Sequence, residues 1–208
     1  MRKWECTVCG YIHKSAEPPD ECPVCSADKS MFVEIAADSS IVEQRPEPVI
    51  PPENKPSYSA FIYSRVSELI LQYHLHPIAV HTPNGIIPMA ILFLAMAVFL
   101  RLPLFETVAF YSLVYVLLVM PAVLLTGYGV WQKRYRGVLT PIFKIKIGAV
   151  IVTVLTLLTL VIWRIVQPQI IAVPSNGRWI FLGLSLVLLG AVALAGHIGG
   201  KLVFGNRK

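Results

Sequence analysis

Long apolar runs separated by short polar segments occupy the C-terminal two-thirds of the chain. The four runs span residues 77–100, 105–131, 142–166 and 179–200. Each is close to the roughly 20 residues that an α-helix needs to cross the hydrocarbon core of a bilayer. The pattern predicts an α-helical integral membrane protein, with a four-helix transmembrane bundle in residues 77–208.

The residues before the first apolar run divide into three zones. All four cysteines lie in residues 1–35, and residues 36–56 contain five prolines with little to bury, which predicts a flexible linker. In residues 57–76 the apolar positions fall near one helical face, which favours an interfacial amphipathic helix. An ordinary amphipathic helix packed on protein explains this pattern equally well.

Composition and charge agree with a membrane protein. Apolar residues make up 55% of the chain and charged residues only 14%. Residues 1–56 carry 10 acidic and 6 basic side chains, and the remainder carries 2 acidic and 12 basic. Basic side chains collect in cytoplasmic loops of membrane proteins, which explains the positive balance better than nucleic-acid binding does.

The basic residues also predict the topology. Eight of them lie between the second and third runs, at the start of the third run or after the fourth, against three at the opposite ends of the runs. Because such residues mark the cytoplasmic side, both termini are expected in the cytoplasm, with the chain in the inner membrane of a prokaryote.

The cysteines form two C-x-x-C pairs, Cys6 with Cys9 and Cys22 with Cys25. No apolar signal-peptide core precedes them, so a reducing cytoplasm is expected. Paired cysteines in such a compartment are more often metal ligands than disulfides or free thiols. The four thiolates are therefore predicted to converge tetrahedrally on one metal ion.

The segment around these cysteines resembles a rubredoxin domain of the short type found in rubrerythrins. Trp4, the Cys-Thr-Val-Cys-Gly-Tyr run, the Cys-Pro-Val-Cys run and Phe32 carry the resemblance. It implies a rubredoxin-like fold with iron at a one-electron site, although zinc suits four thiolates equally well. One departure is Ser26, where this family usually has glycine after the fourth cysteine.

The four apolar runs resemble a family of bacterial four-helix membrane proteins, a domain of unknown function. His76-Pro77, Val80-His81, Leu125-Thr126-Gly127 and the Gly-Gly-Lys-Leu-Val run at residues 199–203 carry this resemblance. Two departures are Asn84-Gly85 in the first run, and Lys144 and Lys146 near the position of a histidine that this family often has in the third. The resemblance implies no activity.

Histidine placement suggests a cofactor in the bundle. His81 and His197 each lie four residues inside the expected cytoplasmic boundary, so they share a depth of roughly 6 Å. Ionisable side chains in membranes usually face the bundle interior and serve a pathway or cofactor. They are candidate axial ligands of a b-type haem, and His76 is the reserve candidate, which would replace one of them as a ligand. Hydrogen bonds to neighbouring helices and contacts to a quinone remain alternatives.

Two further features accompany these histidines. His74 is more simply an interfacial side chain. Pro83 and Pro88 flank Asn84-Gly85 and predict a broken or kinked first helix. A break there would offer a polar pocket near His81 for a quinone or a haem propionate.

These features favour an electron carrier over a stand-alone enzyme, since no hydrolytic triad or nucleotide-binding loop is recognisable. Single electrons would pass between a soluble cytoplasmic redox partner and a membrane haem, quinone pool or membrane redox complex. A zinc-stabilised, non-redox anchor or assembly module and a haem-free quinone reductase subunit are the alternatives. A homo-oligomer is compatible with the sequence, and no nucleic-acid partner is expected.

Overall fold

The computed structural model describes residues 2–35, 65 and 68–205. A small domain at residues 2–35, which we call the head, contains the cysteines. Four long helices follow and form the membrane domain. The predicted linker at residues 36–56 lies outside the described residues, so that interpretation stays a prediction.

The head is built on a three-stranded antiparallel sheet in the order β2-β1-β3. Its strands are β1 (Arg2–Cys6), β2 (Ile12–Ser15) and β3 (Phe32–Ile35). A single 3₁₀ turn, Lys29–Met31, leads into β3, and the Asp28 side chain caps it by accepting from the Ser30 N–H. The sheet is short because most of the remaining head residues form the two cysteine loops.

The membrane domain contains α1 (Leu75–Phe99), α2 (Pro103–Arg134), α3 (Pro141–Val166) and α4 (Asn176–Phe204). All four are long and apolar enough to cross a membrane. The four predicted spans are therefore confirmed. α2 and α4 extend past their apolar runs by two to four residues at each end, whereas α1 and α3 match their runs to within two residues.

The start of α1 differs from the predicted boundary between interfacial helix and first span. Residues 68–72 are helical, and residues 73 and 74 form a turn in which His74 has a left-handed φ of 52°. His76 therefore belongs to α1 and not to the preceding segment. Most of residues 57–67 lies outside the described part of the chain, so an interfacial helix there remains a prediction.

Each helix packs against its neighbours in sequence, and α1 also packs against α4, which closes an up-down-up-down bundle. The interior is filled by fully buried side chains, including Ile87, Leu113, Leu157, Leu160 and Leu188. Large apolar side chains cover the outside as well, for example Leu104, Leu118 and Leu125. Apolar residues on every side are what a helix bundle in lipid requires.

The predicted break in the first span is not observed. α1 runs without interruption through Pro83 and Pro88, and the Pro83 side chain is buried in the bundle. A proline removes one backbone hydrogen bond, but packing against neighbouring helices allows membrane helices to tolerate it.

An ion pair joins α2 and α3 at the end of the bundle opposite the start of α1. Arg164 Nε lies 2.8 Å from Glu106 Oε1, and the guanidinium also lies over the Phe110 ring. The N–H does not point along this axis, so the contact is electrostatic and not an aligned hydrogen bond. Glu106 is in the first turn of α2 and Arg164 is in the last turn of α3, where the helix dipoles favour their charges.

We expect Glu106→Ala to destabilise the bundle by roughly 3 kcal/mol, because it leaves the largely buried Arg164 charge without a partner. The double variant Glu106→Leu/Arg164→Leu should lose much less, since it removes both charges together. Thermal unfolding of the purified protein in detergent compares them. Equal losses in the single and double variants would contradict this account of the ion pair.

Candidate metal centre and membrane-domain histidines

The four cysteines lie on two loops with matching backbone hydrogen bonds. In the first loop the Cys6 N–H donates to the Tyr11 carbonyl at 2.8 Å, and in the second the Cys22 N–H donates to the Ala27 carbonyl at 2.8 Å. The Thr7 N–H and hydroxyl both donate to the Met31 carbonyl, which ties the first loop to the start of β3. The same local fold is thus used twice.

Each loop turns through a residue with a left-handed backbone. Gly10 has φ 74° and donates its N–H to the Cys6 carbonyl at 2.8 Å. Ser26 has φ 55° and donates its N–H to the Cys22 carbonyl at 2.9 Å. The serine that departs from the family pattern therefore preserves the turn and bears the steric cost of a Cβ atom in this conformation.

The loops bring the four Sγ atoms together. Those of Cys6 and Cys25 lie 3.7 Å apart, those of Cys9 and Cys22 lie 3.6 Å apart, and all four lie within 4.8 Å of one another. A metal–sulfur bond of about 2.3 Å gives a tetrahedron with an S···S edge of about 3.8 Å. The predicted ligand set therefore fits a tetrahedral iron or zinc ion.

Hydrogen bonds among the four cysteine side chains give them different pKa values. They lower the pKa of Cys6, assisted by the Cys9 backbone N–H, and lower the pKa of Cys22 to about 7. The hydrogen bonds with Cys22 raise the pKa of Cys9 and of Cys25. Without metal, the hydrogen bonds thus favour the thiolate form at Cys6 and Cys22 and the thiol form at Cys9 and Cys25. Since a metal requires all four as thiolates, binding releases protons and weakens in acid.

The head packs against one end of the membrane domain. The second residue between the cysteines of each pair is a buried valine: Val8 is only 3% exposed and Val24 only 2%. They belong to one apolar cluster with membrane-domain residues from the α2–α3 connection, α3 and α4, namely Tyr135, Ile142, Phe143, Ile198 and Leu202. Gly205, just after α4, also lies against Val24. We call this the head-side end of the bundle.

Tyr135 is central to this contact. It ends α2 and is buried, with its ring 4.9 Å from that of Phe143 and its hydroxyl donating to the Leu202 carbonyl at 3.3 Å. Burial raises its pKa; nearby Arg134 lowers the pKa, and Cys9 and Cys25 raise it. The phenol therefore keeps the proton that it donates to α4.

The predicted haem ligands His81 and His197 lie on neighbouring helices. The Asn84 side chain, one turn from His81, packs against Gly196, the neighbour of His197, so both histidines lie near one α1–α4 crossing. Both side chains are exposed, on the outside of the bundle and not in its interior. Their assignment as haem ligands stays a prediction.

The ring of His81 has a defined orientation. Its Nδ1 lies 2.6 Å from the Pro77 carbonyl, which can only accept, so Nδ1 carries the proton. The other ring nitrogen, Nε2, is then the one with a free lone pair. Metal-bound histidines commonly use this arrangement, in which the second nitrogen donates to a backbone carbonyl.

His76, the reserve ligand, faces α2. Its Nδ1 lies 3.1 Å from the Thr126 hydroxyl, and that hydroxyl donates to the Ala122 carbonyl. A Cβ atom at Gly127 would come within 3.0 Å of the His76 ring, so the glycine leaves room for it. The His-Pro and Leu-Thr-Gly motifs noted in the sequence thus form one helix contact.

Comparison with known proteins identifies the two parts separately. Residues 4–33 match the family described as "Rubrerythrin, rubredoxin-like domain". The same segment is similar to Reverse rubrerythrin-1 of Clostridium acetobutylicum, with 51% identity over 35 residues. That match covers 17% of this chain and 19% of the relative, so the chain spans about a fifth of the relative's length.

Residues 72–207, well over half of the chain, match the family "Predicted membrane protein (DUF2231)". The chain belongs to this membrane-protein family. It is a DUF2231 membrane domain with an N-terminal rubredoxin-like head, as both resemblances in the sequence predicted. No solved structure matches the chain.

Sequence reasoning missed Tyr135 and the apolar contact of the head with this DUF2231 domain. Charge alone predicts only a transient, salt-sensitive attraction of the acidic head and linker to the basic loops. The available signal was an aromatic residue inside a basic stretch, Gln132-Lys133-Arg134-Tyr135-Arg136, where solvent-exposed residues are expected. The left-handed φ values of Arg136 and Gly137 end the helix there and hold Tyr135 at the head-side end.

We expect Gly10→Ala to destabilise the head by about 1 kcal/mol, because a Cβ atom is unfavourable at this left-handed backbone. Ser26→Gly should instead be neutral or stabilising by up to about 1 kcal/mol, since it removes the same cost from the second loop. The denaturant concentration at which iron–thiolate absorbance is lost measures both effects. A loss of stability in Ser26→Gly would show that the two loops are not equivalent.

Proposed function

We propose that the protein is a membrane-bound carrier of single electrons. It exchanges them between a soluble redox partner in the cytoplasm and a redox group of the membrane. The observation that carries this proposal is the tetrahedral set of four cysteine sulfurs packed against the end of the membrane helices. A rubredoxin-like iron site supplies one-electron chemistry when it is occupied.

Electron exchange is a better use of this site than hydrolysis or group transfer. All four donors are thiolates from the protein, so a bound metal has no open position for a substrate. The described part of the membrane domain contains only two acidic side chains, Glu68 and Glu106, and both have basic partners. We therefore assign the redox chemistry to bound cofactors. The protein itself positions these cofactors and controls access to them.

The proposed location is the inner membrane of a prokaryote, with both termini in the cytoplasm. Four antiparallel spans put the start of α1 and the end of α4 on the same side. On that side, the end of α2 and the α2–α3 connection carry Lys133, Arg134 and Arg136. Cytoplasmic loops are generally enriched in such basic residues, which supports a cytoplasmic location for this side. The head would then meet its soluble partners in the cytoplasm.

For the membrane redox group, a b-type haem held by His81 and His197 is the first candidate. Three observations support it. His81 and His197 lie at a similar depth near the α1–α4 crossing, and both lie toward the head-side end of the bundle. In addition, Nε2 of His81 is the ring nitrogen that is not bonded to the Pro77 carbonyl. Because both rings point outward, such a haem would lie on the α1–α4 surface, against lipid or a second copy of the chain.

A quinone is the second candidate, favoured by an apolar groove between α1 and α2. The groove has a volume of about 630 Å³, and its lining includes Gly85, Met89, Tyr111 and Tyr115. Gly85 lies four residues after His81 and therefore near the same helical face. A quinone ring near His81 could place its isoprenoid tail in this groove, which has the size of a small-molecule site.

The iron site is tested on protein purified from its native source. We expect one iron per chain, with thiolate-to-iron(III) absorbance that is lost on addition of one electron. Cys9→Ser should abolish both the absorbance and the stoichiometric iron, because it removes one of four ligands. Stoichiometric zinc without this absorbance would refute electron transfer through the head and favour the zinc-stabilised anchor.

The haem assignment is tested by absorption spectra of the purified membrane protein. His81→Ala and His197→Ala should each reduce haem retention or convert the haem from low to high spin, because each removes an axial ligand. His74→Ala, at the residue immediately before α1, is the matched control and should change the spectrum much less. Absence of haem from the native protein, or unchanged low-spin spectra in both variants, would favour the quinone candidate.

A further inference from the structure

The head-side end of the bundle presents an apolar surface to the metal site. Its residues come from the α2–α3 connection and from α3 and α4: Tyr135, Ile142, Phe143, Ile198 and Leu202. We call this surface the docking seat. Each of its side chains is less than 9% exposed, although charged residues surround it in sequence. An apolar surface at the end of a membrane bundle, where water and headgroups are expected, requires a cover.

The two cysteine loops lie on the docking seat; we propose that Tyr135 is the residue that positions them there, and that this docking controls access to the metal site. The electron route then leads from the cysteine site directly into the membrane domain. This last step rests on the function proposed above, whereas the docking itself does not. Neither family match assigns such a contact, since each covers one part of the chain.

The contacts support a specific and apolar interface. Val8 and Val24 have equivalent places in the two loops, and both are buried in the cluster that contains the seat. Val24 lies against Gly205, at 3.4 Å from the position of a Cβ atom there. The two loops thus approach the seat with the same face, which brings the cysteine sulfurs next to the bundle.

Ion pairs contribute little to this docking. Those recorded among the described residues lie within the head, as Arg2 with Glu34 and Lys29 with Asp20, or within the helical part, as Arg164 with Glu106. Apolar contacts are insensitive to ionic screening. Docking should therefore persist in high salt, unlike an association driven by the basic loops.

Tyr135 qualifies as the positioning residue through contacts on three sides. Its ring packs on Phe143 of α3, its hydroxyl holds the Leu202 carbonyl of α4, and its position in α2 is fixed by the N–H donated to the Trp131 carbonyl. The same residue belongs to the buried cluster that contains Val8, Val24 and Cys25. One side chain therefore connects three membrane helices to the metal site.

Docking also determines which partners reach the metal. Because Val8 and Val24 are covered, their side of the site is closed to water-soluble reagents in the docked state, while Cys9 stays partly exposed on the other side for a soluble partner. A hydrophilic oxidant such as ferricyanide should therefore react more slowly with the reduced site in the docked state than after undocking. Each ferricyanide removes one electron, converting the ferrous site to the ferric state.

Hydrogen–deuterium exchange of the zinc-loaded, full-length protein in lipid nanodiscs tests the docking without any redox step. Leu202→Asp and Tyr135→Ala should accelerate exchange in residues 5–10 and 21–27 at least about tenfold, because each removes a buried apolar contact. Leu139→Asp changes an exposed residue of the same connection and is the control. Unchanged exchange in both seat variants would overturn the proposal.

Stopped-flow kinetics of the iron-loaded protein test the positioning role. Tyr135→Ala should speed oxidation by ferricyanide and slow electron exchange with the membrane redox group, whereas Tyr135→Phe, which keeps the ring, should remain near wild type in both. General destabilisation does not predict opposite changes in these two rates. If ferricyanide oxidation is unaffected by Tyr135→Ala, the positioning role is wrong.

The outcomes separate this inference from the proposed function. Faster exchange in the seat variants of a protein that contains only zinc would support docking and refute electron transfer. Normal exchange in those variants of a protein that contains iron and haem would refute docking and leave the carrier function in place.

Discussion

Four sulfur atoms within a few ångströms of one another constrain the head. They must share protons or a metal cation, because four thiolates at such separations repel strongly. A domain of about 30 residues has too small an apolar core to oppose that repulsion, and a metal is the usual remedy at this size. The sheet, the two cysteine loops and the capped turn before β3 all serve to converge these atoms.

The same constraint gives the head an apolar face. Loops that aim four sulfurs inward must turn their intervening side chains outward, and here these are the valines between the paired cysteines. In water the valines would be exposed. In this protein they meet an equally apolar surface at the end of the bundle, so that the membrane domain completes the core that the head lacks.

The sequence predicted features that depend on local spacing. Cysteine spacing identified the metal ligands, and hydropathy identified the four spans, because each pattern has essentially one structural solution. It did not predict the docking seat, since Tyr135 and Leu202 lie 67 residues apart and meet only after the helices pack. Nor did it predict that His81 and His197 face outward. Depth follows from counting residues, but orientation depends on which helix faces pack together.

The ion pair between Glu106 and Arg164 has a consequence for how the bundle is made. An unpaired arginine costs about 2.5–3.5 kcal/mol at the centre of a membrane helix and less near the helix ends, where Arg164 lies. α2 is synthesised before α3, so Glu106 is already present when Arg164 emerges. The charge pair therefore favours the rotation of α3 that turns Arg164 toward α2, and it can do so as soon as the two helices meet.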